Sequence, residues 1–260
     1  MSALRSTSRT CFLRLPDFDP EDFAEAFADS SVEAVEIPRP ELSETGYADL
    51  VRNLVASPRF MCDFSQTPSS IAFPRLCRRI LGEDAPLDQI ARLLDDLNRI
   101  EQFARMLYGQ RLLVSVRNWF APGDLVWHVD RSSRDSAYRI LWPLGRAAGM
   151  RVTPRDNFDH ALYAAFMRRE HPLLCRLDRD VAASGQPLEI LWQHRHQQVY
   201  AMIEDDFPFL LDRDRVEAVR ASSVSVHRIE TPRLPGTYHR SAWANRNAPG
   251  LQIIITVTTT

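Results

Sequence analysis

Leu125-Val126-Trp127-His128-Val129-Asp130 decides how the rest of this 260-residue chain is read. Its branched and aromatic residues make it a strand, and it ends on a histidine and a carboxylate two positions apart. Side chains two apart on a strand point to the same side, so His128 and Asp130 can both reach one cation. Such a pair needs a third ligand from elsewhere. His239 is the best candidate, in Pro235-Gly236-Thr237-Tyr238-His239-Arg240-Ser241, where a glycine-containing turn runs into another short strand.

Around that stretch lies a series of short runs rich in branched and aromatic residues: Arg111–Val116, Tyr138–Trp142, Leu188–Trp192, Val224–Ile229, Gly236–Ser241 and Leu251–Val257. Short strands separated by turns point to an antiparallel sandwich or barrel rather than to a βαβ sheet. One insertion, about residues 153–180, breaks the series. Phe158, Ala161, Leu162, Ala165 and Phe166 recur there at helical spacing, so a helix is expected, lying over the mouth of the barrel or against its edge.

Upstream the period changes. Leu87, Ile90, Leu94, Leu97, Ile100, Phe103, Ala104 and Leu107 form one apolar stripe about six turns long, and Gly109 stops it. Asp19 caps a further helix that starts at Pro20 and sets Phe23, Ala24 and Phe27 on one face. The expected organisation is a helical N-terminal region over 1–108, packing on a β core over 109–260 that carries the helical insertion.

Composition removes much of the common enzyme repertoire. All 32 basic residues are arginine, so there is no Schiff-base lysine and no P-loop lysine. Pyridoxal-phosphate enzymes, Schiff-base aldolases, Walker-type nucleotidases and ordinary kinases are excluded with them. There is no GxGxxG and no GxSxG elbow. A formal net charge of −2 gives no global attraction to nucleic acid, which is not expected as a partner. The four cysteines form no CxxC pair and read as reduced thiols. Without an apolar leader or an apolar run of membrane-spanning length, a cytoplasmic location is expected.

Two histidines and a carboxylate on one face of a metal leave three positions open, the arrangement by which non-haem iron(II) takes up a co-substrate and dioxygen together. With HxD closing an early strand, a histidine some 110 residues later and the apolar final strand Leu251–Val257, residues 110–257 resemble the iron(II)- and 2-oxoglutarate-dependent dioxygenase superfamily. The resemblance implies an α+β protein with a double-stranded β-helix core, jelly-roll or cupin-like. It implies His128, Asp130 and His239 as ligands of Fe(II), with 2-oxoglutarate as co-substrate, dioxygen as oxidant and a small organic substrate. It also implies a basic residue for the co-substrate carboxylate, usually on the last strand, where this sequence has Gln252 and Thr256 instead. Arg139 and Arg246 are the candidates, with Tyr138, Ser241 and Thr256 as possible hydroxyl donors. Asp130 fills the coordination site that related halogenases leave to a halide, so hydroxylation or another C–H oxidation is the implied reaction.

Two alternatives stay open. An iron oxygenase without 2-oxoglutarate follows if neither arginine faces the metal, and a cupin-like metal- or small-molecule-binding protein follows if there is no turnover. His194 and His196 form a competing HxH pair in a polar segment. His227 reads as a core or substrate-facing residue. Trp127, Trp142, Trp192 and Trp243 read as core or as pocket lining.

Overall fold

A 22-residue amphipathic stripe needs an apolar surface to lie on, and in this protein that surface is one face of a large sheet. The computed structural model describes residues 11–38, 44–64, 67–108, 111–118, 124, 126–134, 137–145, 149–169, 172, 207–220, 223–241 and 250–258. The stripe forms α4 (Leu87–Tyr108), preceded by α1 (Pro20–Ala28), α2 (Ala48–Ala56) and α3 (Ser69–Leu81). Asp19 caps α1 as the sequence predicts, its carboxylate accepting from the Glu21 and Asp22 N–H groups. A fifth helix runs over residues 160–169. Among the described residues no helix is long and apolar enough to cross a membrane.

Seven strands make the large sheet, in the order β1 (Phe12–Arg14), β2 (Ala34–Pro38), β8 (Ser223–Arg228), β5 (Ala137–Leu144), β10 (Leu251–Thr258), β4 (Arg111–Arg117) and β3 (Met61–Asp63). Every neighbouring pair is antiparallel except β1 and β2. A smaller antiparallel sheet has the order β7 (Glu217–Ala218), β6 (Met150–Thr153), β9 (Tyr238–Ser241). His128 extends it by one rung, as an isolated antiparallel bridge to His239. The fold is thus mixed α+β. The expected helical N-terminal region holds α1–α4 but also supplies β1, β2 and β3, which lengthen the large sheet at both edges.

Strand alternation sorts the residues into layers. Ile140, Trp142 and Leu144 of β5 and Ile253 and Ile255 of β10 face the helices, in one core with Phe23, Leu54, Phe73, Leu97 and Phe103. Leu141 and Ile254 face the other way and meet Met150 and Val152 of the small sheet. The space between the sheets is therefore lined by the inner faces of both.

Residues 160–169 do not lie over the inner face. Phe158 and Phe166 join Val126, Trp127, Phe207, Phe209 and Tyr238 in an aromatic cluster. Trp127 and Tyr238 precede His128 and His239 by one residue, so this cluster covers the side of the small sheet turned away from the histidines. The insertion helix, expected over the mouth of the barrel or against its edge, packs instead on the outer face of the small sheet. The expected strand Leu188–Trp192, the His194/His196 pair, Trp192, Trp243, Gly109 and Arg246 lie outside the described residues.

Candidate metal centre

Strand pairing brings the two distant histidines together. His128 N–H donates to the His239 carbonyl at 2.9 Å and His239 N–H donates back at 3.0 Å. Their rings are 4.4 Å apart. Asp130 follows two residues on, on the same side, and its carbonyl accepts from Glu230 N–H at 2.7 Å. Gly236 lets the turn before β9 approach this close, since a Cβ there would overlap the Glu230 backbone and the Val129 side chain. His128, Asp130 and His239 each offer a ligand atom, all within 4.8 Å of one another.

The hydrogen bonds fix which nitrogens face inward. His128 Nδ1 lies 2.7 Å from the Val126 carbonyl, and His239 Nδ1 lies 3.0 Å from the Thr237 carbonyl. A carbonyl only accepts, so both Nδ1 atoms carry a proton, and Nε2 is the nitrogen of each ring left to act as a ligand. Burial, reinforced by the neighbouring His227 and His128, holds His239 well below the usual histidine range against the pull of Asp130, so its ring is neutral at pH 7. Its Nε2 is 3.4 Å from Asp130 Oδ2. Burial pushes the Asp130 carboxyl up, but the hydrogen bond from His227 and the Arg139 guanidinium help outweigh it, and the group is held well below the usual carboxylate range.

Lone pairs of two imidazoles and an ionised carboxylate thus converge with no proton between them, which is unfavourable unless a cation sits there. At the ~2.0–2.2 Å bond lengths of nitrogen and oxygen donors, adjacent ligands on a metal lie ~3 Å apart, close to the spacing of His239 and Asp130. The donor set fits a 2-His-1-carboxylate metal.

Behind Asp130 stand two residues of the large sheet. Arg139 Nη1 is 2.6 Å from Asp130 Oδ1, and its Nε has no hydrogen-bond partner among the described residues. His227, fully buried, has Nε2 3.2 Å from Asp130 Oδ2. Burial lowers the His227 pKa against the pull of Asp130. In the sheet register Thr256, Arg139 and His227 form one rung across β10, β5 and β8, so their side chains share a face.

Other expected residues fall elsewhere. Tyr138 sits one position before Arg139 and so turns to the opposite face, where its ring meets Phe23 and Phe27 at 5.8 and 5.2 Å, and it does not reach the centre. Ser241 shares the face of His239 but lies two residues further along β9, opposite Met150. Trp127 and Trp142 are core residues in different clusters. The sequence reading took His227 as a core or substrate-facing residue and not as a partner of Asp130, although Ser223, Ser225 and His227 alternate with Val224 and Val226 and so mark a polar inner face.

No family model matches this sequence, and a search of curated proteins finds no match. Solved structures do align. One is the 2-oxoglutarate complex of a dioxygenase for auxin oxidation from Arabidopsis thaliana, with 9% identity and a TM-score of 0.47, over 96% of this chain and 92% of that one. Another is the non-haem alpha-ketoglutarate-dependent epimerase SnoN from nogalamycin biosynthesis, with 15% identity and a TM-score of 0.42, over 92% and 84%.

Proposed function

We propose that this protein is a non-haem Fe(II)/2-oxoglutarate-dependent oxygenase that oxidises a C–H bond of a small organic substrate in the cytoplasm. The observation that carries this reading is the convergence of His128 Nε2, His239 Nε2 and Asp130, with both Nδ1 atoms committed to carbonyls. The strand order agrees with a double-stranded β-helix: β4, β10, β5 and β8 form one wall, and the His128 rung, β9, β6 and β7 form the other. Residues 1–108 then add helices behind the first wall and strands at its edges, and residues 109–260 form the catalytic core.

His128, Asp130 and His239 hold the iron. When bound there, iron with 2-oxoglutarate and dioxygen would supply the oxidising power. The chain orients and shields. Arg139 keeps one nitrogen on Asp130 and has further N–H groups for a co-substrate carboxylate, and Thr256 beside it offers a hydroxyl. Leu141, Ile254, Met150 and Val152 form an apolar patch in the space between the sheets. Asp130, ionised throughout the physiological range, occupies the position a halide would need, which favours hydroxylation over halogenation.

Anaerobic Fe(II) titration with and without 2-oxoglutarate tests the reading. A visible metal-to-ligand charge-transfer band is expected in the wild type, lost in His128→Ala and weakened in Arg139→Ala. Iron binding without the band favours an oxygenase that does not use 2-oxoglutarate, or a binding protein. Absence of iron binding overturns the reading.

A further inference from the structure

We infer that His227 is a positioning residue for the metal centre, orienting the Asp130 carboxylate so that one oxygen faces a cation held with His128 and His239. The inference rests on the metal reading above. His227 lies outside the set of three converging ligands, yet it touches two of them. Its Nε2–H donates to Asp130 Oδ2 at 3.2 Å, and its ring lies 4.2 Å from that of His239. No hydrogen bond within the described residues reaches its other nitrogen, Nδ1, so the only polar tie on this buried imidazole is to Asp130. Burying a half-satisfied ring on a strand where valine alternates costs stability, which points to a role other than packing.

Sheet register explains how the tie is made. Arg139 and His227 are directly opposite on β5 and β8 and leave the large sheet side by side. Asp130 comes from the facing layer. Arg139 takes Oδ1 at 2.6 Å and His227 takes Oδ2, so the carboxylate is gripped on both oxygens and cannot rotate about its Cβ–Cγ bond. Oδ2 has two lone pairs: one accepts from His227, and the other points toward the His239 Nε2 at 3.4 Å. Without His227 the carboxylate is held on one oxygen and is free to turn the ligand oxygen away.

Anaerobic Co(II) titration, read by visible d–d absorption, tests this on the full-length protein. Glutamine places an N–H near the position of imidazole Nε2, whereas phenylalanine keeps the ring and removes the donor. His227→Phe is expected to weaken Co(II) binding about 10–100-fold and to change the d–d bands, as loss of a group behind a ligand does. His227→Gln is expected to restore most of the affinity and the wild-type bands. Wild-type affinity and bands in folded His227→Phe would overturn the inference, as would a folded His227→Gln no better than His227→Phe. Should His227→Phe not fold, His227→Asn, too short to reach Oδ2, takes its place in the comparison. A wild-type protein that does not bind Co(II) would instead remove the metal reading itself.

Discussion

His128 and His239 exchange both of their backbone hydrogen bonds, at 2.9 and 3.0 Å, so two side chains 111 positions apart are paired by main chain alone. Replacing either side chain leaves that bridge intact and removes one donor. In His128→Ala and His239→Ala, Fe(II) affinity is expected to fall by more than ~100-fold, beyond the usual effect of losing a group behind a ligand. Titration of each variant, with circular dichroism as the folding check, reads the effect. Wild-type affinity in both would contradict the assignment.

Gly236 tests how closely the turn before β9 must approach Val129 and Glu230. Gly236→Ala forces a methyl group into the Glu230 backbone, where no side-chain rotation relieves it. Overpacking of this kind costs ~1–3 kcal/mol, read as a lower urea midpoint, and here metal affinity should fall with it because Asp130 is hydrogen-bonded to the displaced Glu230. An unchanged midpoint would show that the turn relaxes freely.

Glu33 gives stability a pH dependence of definite sign. Burial pushes its carboxyl up to about 7, against the opposing charges of Arg155 and Arg228, from an ordinary value of 4.5. The folded protein keeps that proton between 4.5 and 7 while the unfolded chain has lost it, so this group costs stability as pH rises through the window. Glu33→Gln should therefore gain over wild type by up to ~3 kcal/mol at pH 8 and by little at pH 4. Lowered pKa values at His227 and His239 tilt both proteins the other way, so the difference between the two urea series isolates Glu33. A difference that does not vary with pH would mean the carboxyl is not perturbed.

Asp19→Ala separates stability from the metal centre. Removing the cap of α1 exposes the Glu21 and Asp22 N–H groups and should cost ~1 kcal/mol. Co(II) affinity should equal that of wild type, since α1 packs on the helix side of the large sheet. A matching loss of affinity would tie the centre to the N-terminal helices.

The parts of the fold legible in the sequence are those written in local periodicity. α4, the cap of α1 and the strands β4, β5, β8, β9 and β10 follow from period and turn residues, and His128-x-Asp130 follows from strand alternation. β2 was hidden because both its faces are covered: Ala34, Val35, Glu36 and Ile37 are all buried, so no alternation appears. A glutamate in mid-strand argues against a strand until its partners Arg14, Arg220 and Ser223 are seen. His227 was illegible for a related reason, since its meaning depends on Asp130, 97 positions away. The placement of residues 160–169 was undecided until Phe207 and Phe209 closed the aromatic cluster beneath them.

His239 and His128 belong to the small sheet and its added rung and Asp130 follows two residues later, whereas the groups gripping Asp130 come from the large sheet. A cation there would tie the two layers together through Asp130, and by mass action it would raise resistance to unfolding with concentration. The coupling also runs in reverse. The thickness of the filling between the layers, set by Leu141, Met150, Val152 and Ile254, becomes a tuning screw for the metal, so a methylene gained or lost far from any ligand would be felt as a change in affinity.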